Sequence, residues 1–250
     1  MTASTLRQVG EEKAAENRDA SHQDASHQDA SHRDATLGWL RPLFIIVFAI
    51  AALLVADAKA WADSPVVTKV EEDWELQVAT PDPDGNAPQV ITVISPNATI
   101  DAVHAVFELN HITQPDYAAG GMQLQSWKLG EVTNYRGFPN SNTLSTVGEV
   151  VTYTTQMSVS DDILYVEIMN GDSTTWGKFG GQGYLKYFTA TTLTNLDNYS
   201  PTVSVSKSRV GFAANRVTKL VLKRVRYYQA DGTLISTDST ERVVHQLTGD

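Results

Sequence analysis

Hydrophobic residues are distributed in two different ways along this chain. From Leu43 to Val55 they form one unbroken block of thirteen residues without a charge. From about residue 63 onward they alternate with polar ones. Val151, Tyr153, Thr155, Met157 and Val159 alternate with Thr152, Thr154, Gln156 and Ser158, the period of two that marks a half-buried strand. Leu164, Val166 and Ile168 repeat the pattern. Asn170-Gly171 comes next, and both central residues of a type I′ turn need positive φ, so the pair predicts a hairpin with a returning strand over Thr174 to Phe179. Upstream, Val103, Ala105, Phe107 and Leu109 share a face, and Gln89 to Ile94 is a β-rich run bounded by Pro88 and Pro96. Met122 to Trp127 predicts a further short strand. Val217 to Tyr228 is apolar with interleaved Lys219, Lys223, Arg224 and Arg226; its period suits helix or strand, and its Val and Tyr content favours strand. Asp231-Gly232 predicts a turn into Leu234 and Ile235, with Val243 and Val244 closing the sheet. No amphipathic helix of three turns is predicted after residue 63. Turn signals recur about every ten residues, which suits an all-β fold of two antiparallel sheets, a sandwich of jelly-roll type.

Three segments follow. Residues 1–36 form a polar leader with three tandem pentads starting at Asp19, Asp24 and Asp29. The pentads place His22, His27 and His32 five residues apart, a step of about 140° beyond a full helical turn, so the three imidazoles would not share a helix face. The composition is that of a disordered low-complexity tail. Residues 37–62 hold the apolar block. Thirteen residues fall short of the ~20 that cross a bilayer as a helix and suit the central region of a signal peptide, with Arg41 before it and small residues at Ala58, Ala60 and Ala62 after it. The other reading is an uncleaved transmembrane helix serving as an anchor, from Trp39 to Trp61, with an indole at each interface; Arg41, Asp57 and Lys59 make that span costly. Either way residues 63–250 are expected outside the cytoplasm, secreted or in the cell envelope. The membrane is a partner only through this segment if it stays uncleaved.

Composition narrows the function classes. Residues 63–250 carry 21 acidic and 13 basic side chains, a net charge of −8, which argues against a nucleic-acid partner. The chain has no cysteine, so thiol catalysis, thiolate metal sites and disulfides are all excluded. No G-x-S-x-G motif occurs. Asn97-Ala98-Thr99 and Asn198-Tyr199-Ser200 are glycosylation sequons.

The stretch from Val210 to Tyr228, followed by Asp231-Gly232-Thr233-Leu234, resembles the closing strands of laminin-G and concanavalin A-like lectin/glucanase domains. Val225-Arg226-Tyr227-Tyr228 matches the end of their "(I/V)D-x-V-R-(I/V)-Y" strand; Lys223-Arg224 stand where the acidic residue usually falls. The resemblance covers about 25 residues and implies a fold rather than an activity. Its relatives include glycan-binding modules, laminarinase-type glycosidases and adhesive domains.

Four candidate sites emerge. Glu71, Asp73 and Glu75 would line one face of a strand. Retaining glycosidases of the resembled superfold use such a row as nucleophile, helper and acid/base, with reacting carboxyls ~5–5.5 Å apart; a solvated acidic strand start uses the same residues. Asp82, Asp84 and Asn86 space oxygens at i, i+2 and i+4, as in the first half of a calcium loop, although Ala87 and Val93 stand where an EF-hand needs Gly and Glu. A tight turn has the same composition. Trp127, Trp176 and Tyr184 lie in or beside polar, Gly-rich stretches, as rings that stack on sugars do, and Asn170 adds an amide; such rings also fill sandwich cores. His104, His111 and Glu108 supply at most part of a metal site. No cofactor other than calcium is implied. The function expected is that of a non-catalytic module binding glycan or another surface component. The alternatives are a glycoside hydrolase using Glu71, Asp73 and Glu75, and an envelope scaffold without a small ligand.

Overall fold

The computed structural model describes residues 64–80, 87–100, 103–110, 121–139, 142–144, 146–181 and 183–248. The pentad leader, the apolar block, and Asp82, Asp84, Asn86 and His111 lie outside the described residues.

Two antiparallel sheets face each other across one apolar core. The first, sheet A, contains β1 (Lys69–Val78), β6 (Val150–Ser160), β7 (Ile163–Ser173), β8 (Gly177–Phe179), β9 (Lys186–Ala190), β11 (Val217–Tyr228), β12 (Leu234–Asp238) and β13 (Arg242–Gln246). Its order is β12-β11-β1-β6-β7-β8, with β13 also on β11 and β9 also on β7. Sheet B contains β2 (Val90–Ile94), β3 (Val103–Leu109), β4 (Gly121–Lys128), β5 (Glu131–Pro139) and the short β10 (Arg209–Val210), in the order β10-β2-β3-β4-β5. A seven-residue helix, α1 (Pro201–Lys207), precedes β10, with proline in its first turn where a missing N–H costs nothing.

Alternation decides what goes inside. Val70, Trp74, Leu76 and Val78 of β1 point into the core, as do Phe107 and Leu109 of β3, Met122 and Leu124 of β4, and Leu220, Leu222 and Val225 of β11. Phe107 meets Tyr153 edge-on at 5.1 Å. The Tyr153 hydroxyl donates to Thr92 Oγ1 at 3.2 Å, a polar tie from sheet A to sheet B across the core. All five residues of β2 are buried. Val90 and Ile94 face the core, whereas Ile91 and Val93 join Val106 in a smaller apolar cluster on the outer face of sheet B. Burial on both faces explains why this strand reads as a continuous apolar run rather than an alternation.

The predicted strands over 89–94, 103–109, 122–127, 151–159, 164–169 and 217–228 are all present, and the sandwich is the architecture. One turn is not where the sequence puts it. Asn170-Gly171 does not reverse the chain; β7 runs through it. Thr152 pairs with Asp172 and Thr154 with Met169, so two residues of β7 oppose the single Tyr153 of β6. This is a β-bulge, with Asn170 at φ 53°. This bulge takes positive φ at Asn170 alone and a type I′ turn would take it at both residues, so Asn-Gly can serve either. The reversal comes later, at Thr174–Trp176, and the returning strand begins only at Gly177. The β6–β7 hairpin turns on Asp161-Asp162, φ 51° and 59°.

Candidate functional site

On the outer face of sheet A, β1 presents Glu71, Asp73 and Glu75 on one side, as the E-x-D-x-E spacing predicts, while Glu72 and Trp74 point inward. The neighbouring strand decides what the row can do. Register sets Arg226 opposite Glu71 and Arg224 opposite Asp73, and Lys223 is an extra residue bulged out of β11 beside them. Asp73 accepts from Arg224 Nε at 2.7 Å, Arg226 Nη2 at 2.8 Å and Thr154 Oγ1 at 2.8 Å. Glu71 accepts from Lys69 Nζ at 3.0 Å and the Tyr228 hydroxyl at 2.8 Å. Lys223 lies 4.0 Å from Glu75 and also pairs with Glu241. Asn170 completes the group, its Nδ2 donating to Thr154 Oγ1 at 3.3 Å. A shallow depression of about 300 Å³ lies among Asp73, Glu75, Thr154, Asn170 and Arg224. The structure thus brings Asn170 to the carboxylate row and away from the three aromatic candidates.

Trp176 and Tyr184 belong to the edge of the sandwich. Buried Glu149 fixes the turn after β7, accepting from Ser173 Oγ at 2.5 Å, Thr175 N at 2.8 Å and Thr175 Oγ1. The following residue, Trp176, donates its indole N–H to the Asn142 carbonyl at 2.9 Å and packs edge-on against Phe179. The Tyr184 hydroxyl accepts the Gly180 N–H at 2.8 Å. Both rings are half-buried against the core and both polar tips are engaged internally.

Trp127 occupies a different environment, the outer face of sheet B. Register places His104 opposite Trp127, Val106 opposite Gln125 and Glu108 opposite Gln123, so β3 and β4 contribute six side chains to one face by alternation. The His104 and Trp127 rings are stacked at 6.1 Å and 17°. The Trp127 indole N–H donates to Gln125 Oε1 at 2.7 Å; Gln125 Nε2 donates to Gln123 Oε1 at 2.9 Å and to Glu108 Oε2 at 3.4 Å. His104 is buried, and desolvation holds its pKa below the ordinary imidazole value against the opposing pull of the Ile100 carbonyl, 2.9 Å from Nδ1. The result is a depression of about 200 Å³ floored by Ile91, Val93 and Val106, walled by Trp127 and a row of amide and carboxylate oxygens, and rimmed by Lys207 and Arg209.

Sequence reasoning finds Trp127, and finds His104 and Glu108 only as part of a metal site, without bringing them together or adding Gln123 and Gln125. His104, Glu108, Gln123 and Gln125 share its face by the same period of two that predicts β3 and β4. It also misses Glu72, a carboxylate at a core-facing position. Burial pushes Glu72 up to about 7, against hydrogen bonds from Tyr199 and Trp74 that lower it. Its Oε1 accepts from the Tyr199 hydroxyl at 2.6 Å and its Oε2 from Trp74 Nε1 at 3.2 Å. Among the described residues no cluster of three or more His, Asp or Glu is arranged to hold a metal.

No model of a known protein family matches this chain, and no curated protein is similar to it. By its architecture the chain is an antiparallel two-sheet β-sandwich.

Proposed function

We propose that this chain is an exported, non-catalytic β-sandwich module that binds glycan on the outer face of sheet B. The observation that carries the reading is the depression bordered by Trp127, Gln125 and Glu108. An aromatic wall beside a row of hydrogen-bonding oxygens matches the two faces of a sugar ring, whose C–H groups stack on π systems and whose hydroxyls need polar partners. Trp176 and Tyr184 are given structural roles in this reading because both rings pack against the main core between the sheets, whereas Trp127 lies on the outer face of sheet B. Export rests on the apolar block and the small residues after it. The finer fold, a laminin-G or concanavalin A-like jelly roll, is supported by β11, which carries the resemblance and closes sheet A beside β1.

The experiment is a glycan array followed by titration calorimetry on the purified full chain and on Trp127→Ala. Loss of an aromatic wall is expected to weaken binding by about 2 kcal/mol, roughly 30-fold. Unchanged affinity in the variant overturns the assignment of the site, and a flat array favours the ligand-free scaffold. The depression at Asp73 and Glu75 gives the hydrolase its one supporting observation. Release of reducing sugar from a β-glucan, lost in Glu75→Gln, would favour that reading instead.

A further inference from the structure

Resting on that reading, we infer that the glycan is acidic, and that its anionic group sits between Lys207 and Arg209. Most cations of the domain are spoken for. Lys69, Lys178, Lys186, Lys219, Lys223, Arg224, Arg226 and Arg242 each pair with a carboxylate. Lys207 and Arg209 form no ion pair among the described residues, both are exposed, and both rim the Trp127 depression. Among the described residues, two exposed cations without an ion pair lie beside this one pocket, Lys128 being a further exposed cation without one, in a chain whose formal net charge is −10.

Their placement is fixed by the residue between them. Ser208 is buried, and its Oγ accepts the Val93 N–H at 2.9 Å. That bond pins the junction of α1 and β10 to β2, and Arg209 then pairs with Ile91. Arg209 and Glu108 flank Ile91 from opposite strands, two strand spacings apart, about 10 Å at ~4.8 Å each. The groups facing the depression are thus two cations at the rim, the Glu108 carboxylate bonded to Gln125, and a buried His104 whose environment favours the neutral ring. The local balance is positive. Arg209 is level with Gln123 of β4, three strand spacings or about 14 Å away, and Trp127 lies four residues further along β4, so about 20 Å separates Trp127 from Arg209; the ligand is an oligosaccharide that stacks on the indole at one end and meets the cations at the other. A guanidinium fork suits a carboxylate or a sulfate equally.

The test measures binding of the purified full chain to three chains of equal length: a neutral galacto-oligosaccharide, an oligogalacturonate and a sulfated galacto-oligosaccharide. At low ionic strength the acidic chains are expected to bind more tightly than the neutral one, by about fivefold for each cation engaged. Whichever acidic chain binds best identifies the anionic group. The preference should shrink as salt is raised and vanish in Lys207→Gln/Arg209→Gln, the acidic and neutral chains then binding alike and the melting temperature being held. Equal affinity for neutral and acidic chains, or a preference surviving in the double variant, overturns the inference while leaving the glycan reading intact. Competition by polyglutamate as effective as by oligogalacturonate overturns it in favour of an acidic peptide. Absence of binding to all three chains overturns both.

Discussion

Replacing Glu72 by glutamine should stabilise the protein, and should do so only at neutral and alkaline pH. Glu72 is fully buried on the core-facing side of β1. Its carboxyl is raised from 4.5 to about 7. An acid whose folded pKa lies above its unfolded one binds its proton more tightly in the native state. The contribution of Glu72 to native stability is therefore greatest below about pH 4.5, falls as pH rises through the window to about 7, and stays at the lower level above it. Each pKa unit is worth about 1.4 kcal/mol, so the ionised carboxylate costs about 3 kcal/mol above pH 7. Glutamine has the shape of the neutral acid. Its carbonyl can accept from Trp74 Nε1 and its amide can donate to the Tyr199 oxygen, which keeps both contacts occupied. The assay is thermal unfolding of Glu72→Gln and wild type side by side from pH 4 to 9. The difference between them is the quantity to read, because His104, with its lowered pKa, gives wild type and variant alike an acid-side loss of stability. The difference is expected near zero at pH 4 and about 6–12 °C in favour of the variant at pH 8. A difference that does not change with pH, or a variant less stable than wild type at pH 8, refutes the reasoning.

Two further outcomes follow from packing and charge. Gly171→Ala should destabilise by about 1–3 kcal/mol in denaturant unfolding, since the added methyl would lie inside the Phe179 ring on the facing strand. A neutral result would show that Phe179 can swing away without loss. Asp73→Ala should cost about 1–3 kcal/mol, because it leaves Arg224 and Thr154 without their shared acceptor and Arg226 with Glu71 alone. The same variant should leave glycan affinity unchanged, and a loss of binding without loss of stability would move the site to sheet A.

The elements legible in the sequence are those whose two faces differ in polarity. β6 and β7 alternate because each has its inner face in the core and its outer face partly exposed, and β3 alternates because its outer face, although buried, carries His104 and Glu108. β11 reads ambiguously because the bulge at Lys223 breaks its period. β8 and β10, three and two residues long, are too short to carry any period. The Asn170-Gly171 error has the same root. Positive φ is visible in sequence, but whether the chain then reverses depends on Gly171 opposing Phe179, a contact made only after folding. The carboxylate row is legible as a row, since spacing alone puts Glu71, Asp73 and Glu75 on one face. The guanidinium groups that hold it come from a strand some 150 residues away in the chain, and nothing local announces them. Arg209 comes to the rim of the Trp127 depression by the same kind of long-range pairing, and Lys207 lies beside it.

The register of sheet A also sets a timetable. β1 lies between β6 and β11, and its residues pair with partners as late as Tyr228. A ribosome releasing this polypeptide leaves β1 with one naked edge until nearly the whole domain has emerged. Contacts of such sequence separation make collapse slow, on the order of milliseconds to seconds. A nascent chain that assembles late remains threadable in the meantime, and the same delay leaves an open strand edge for holdase chaperones to guard.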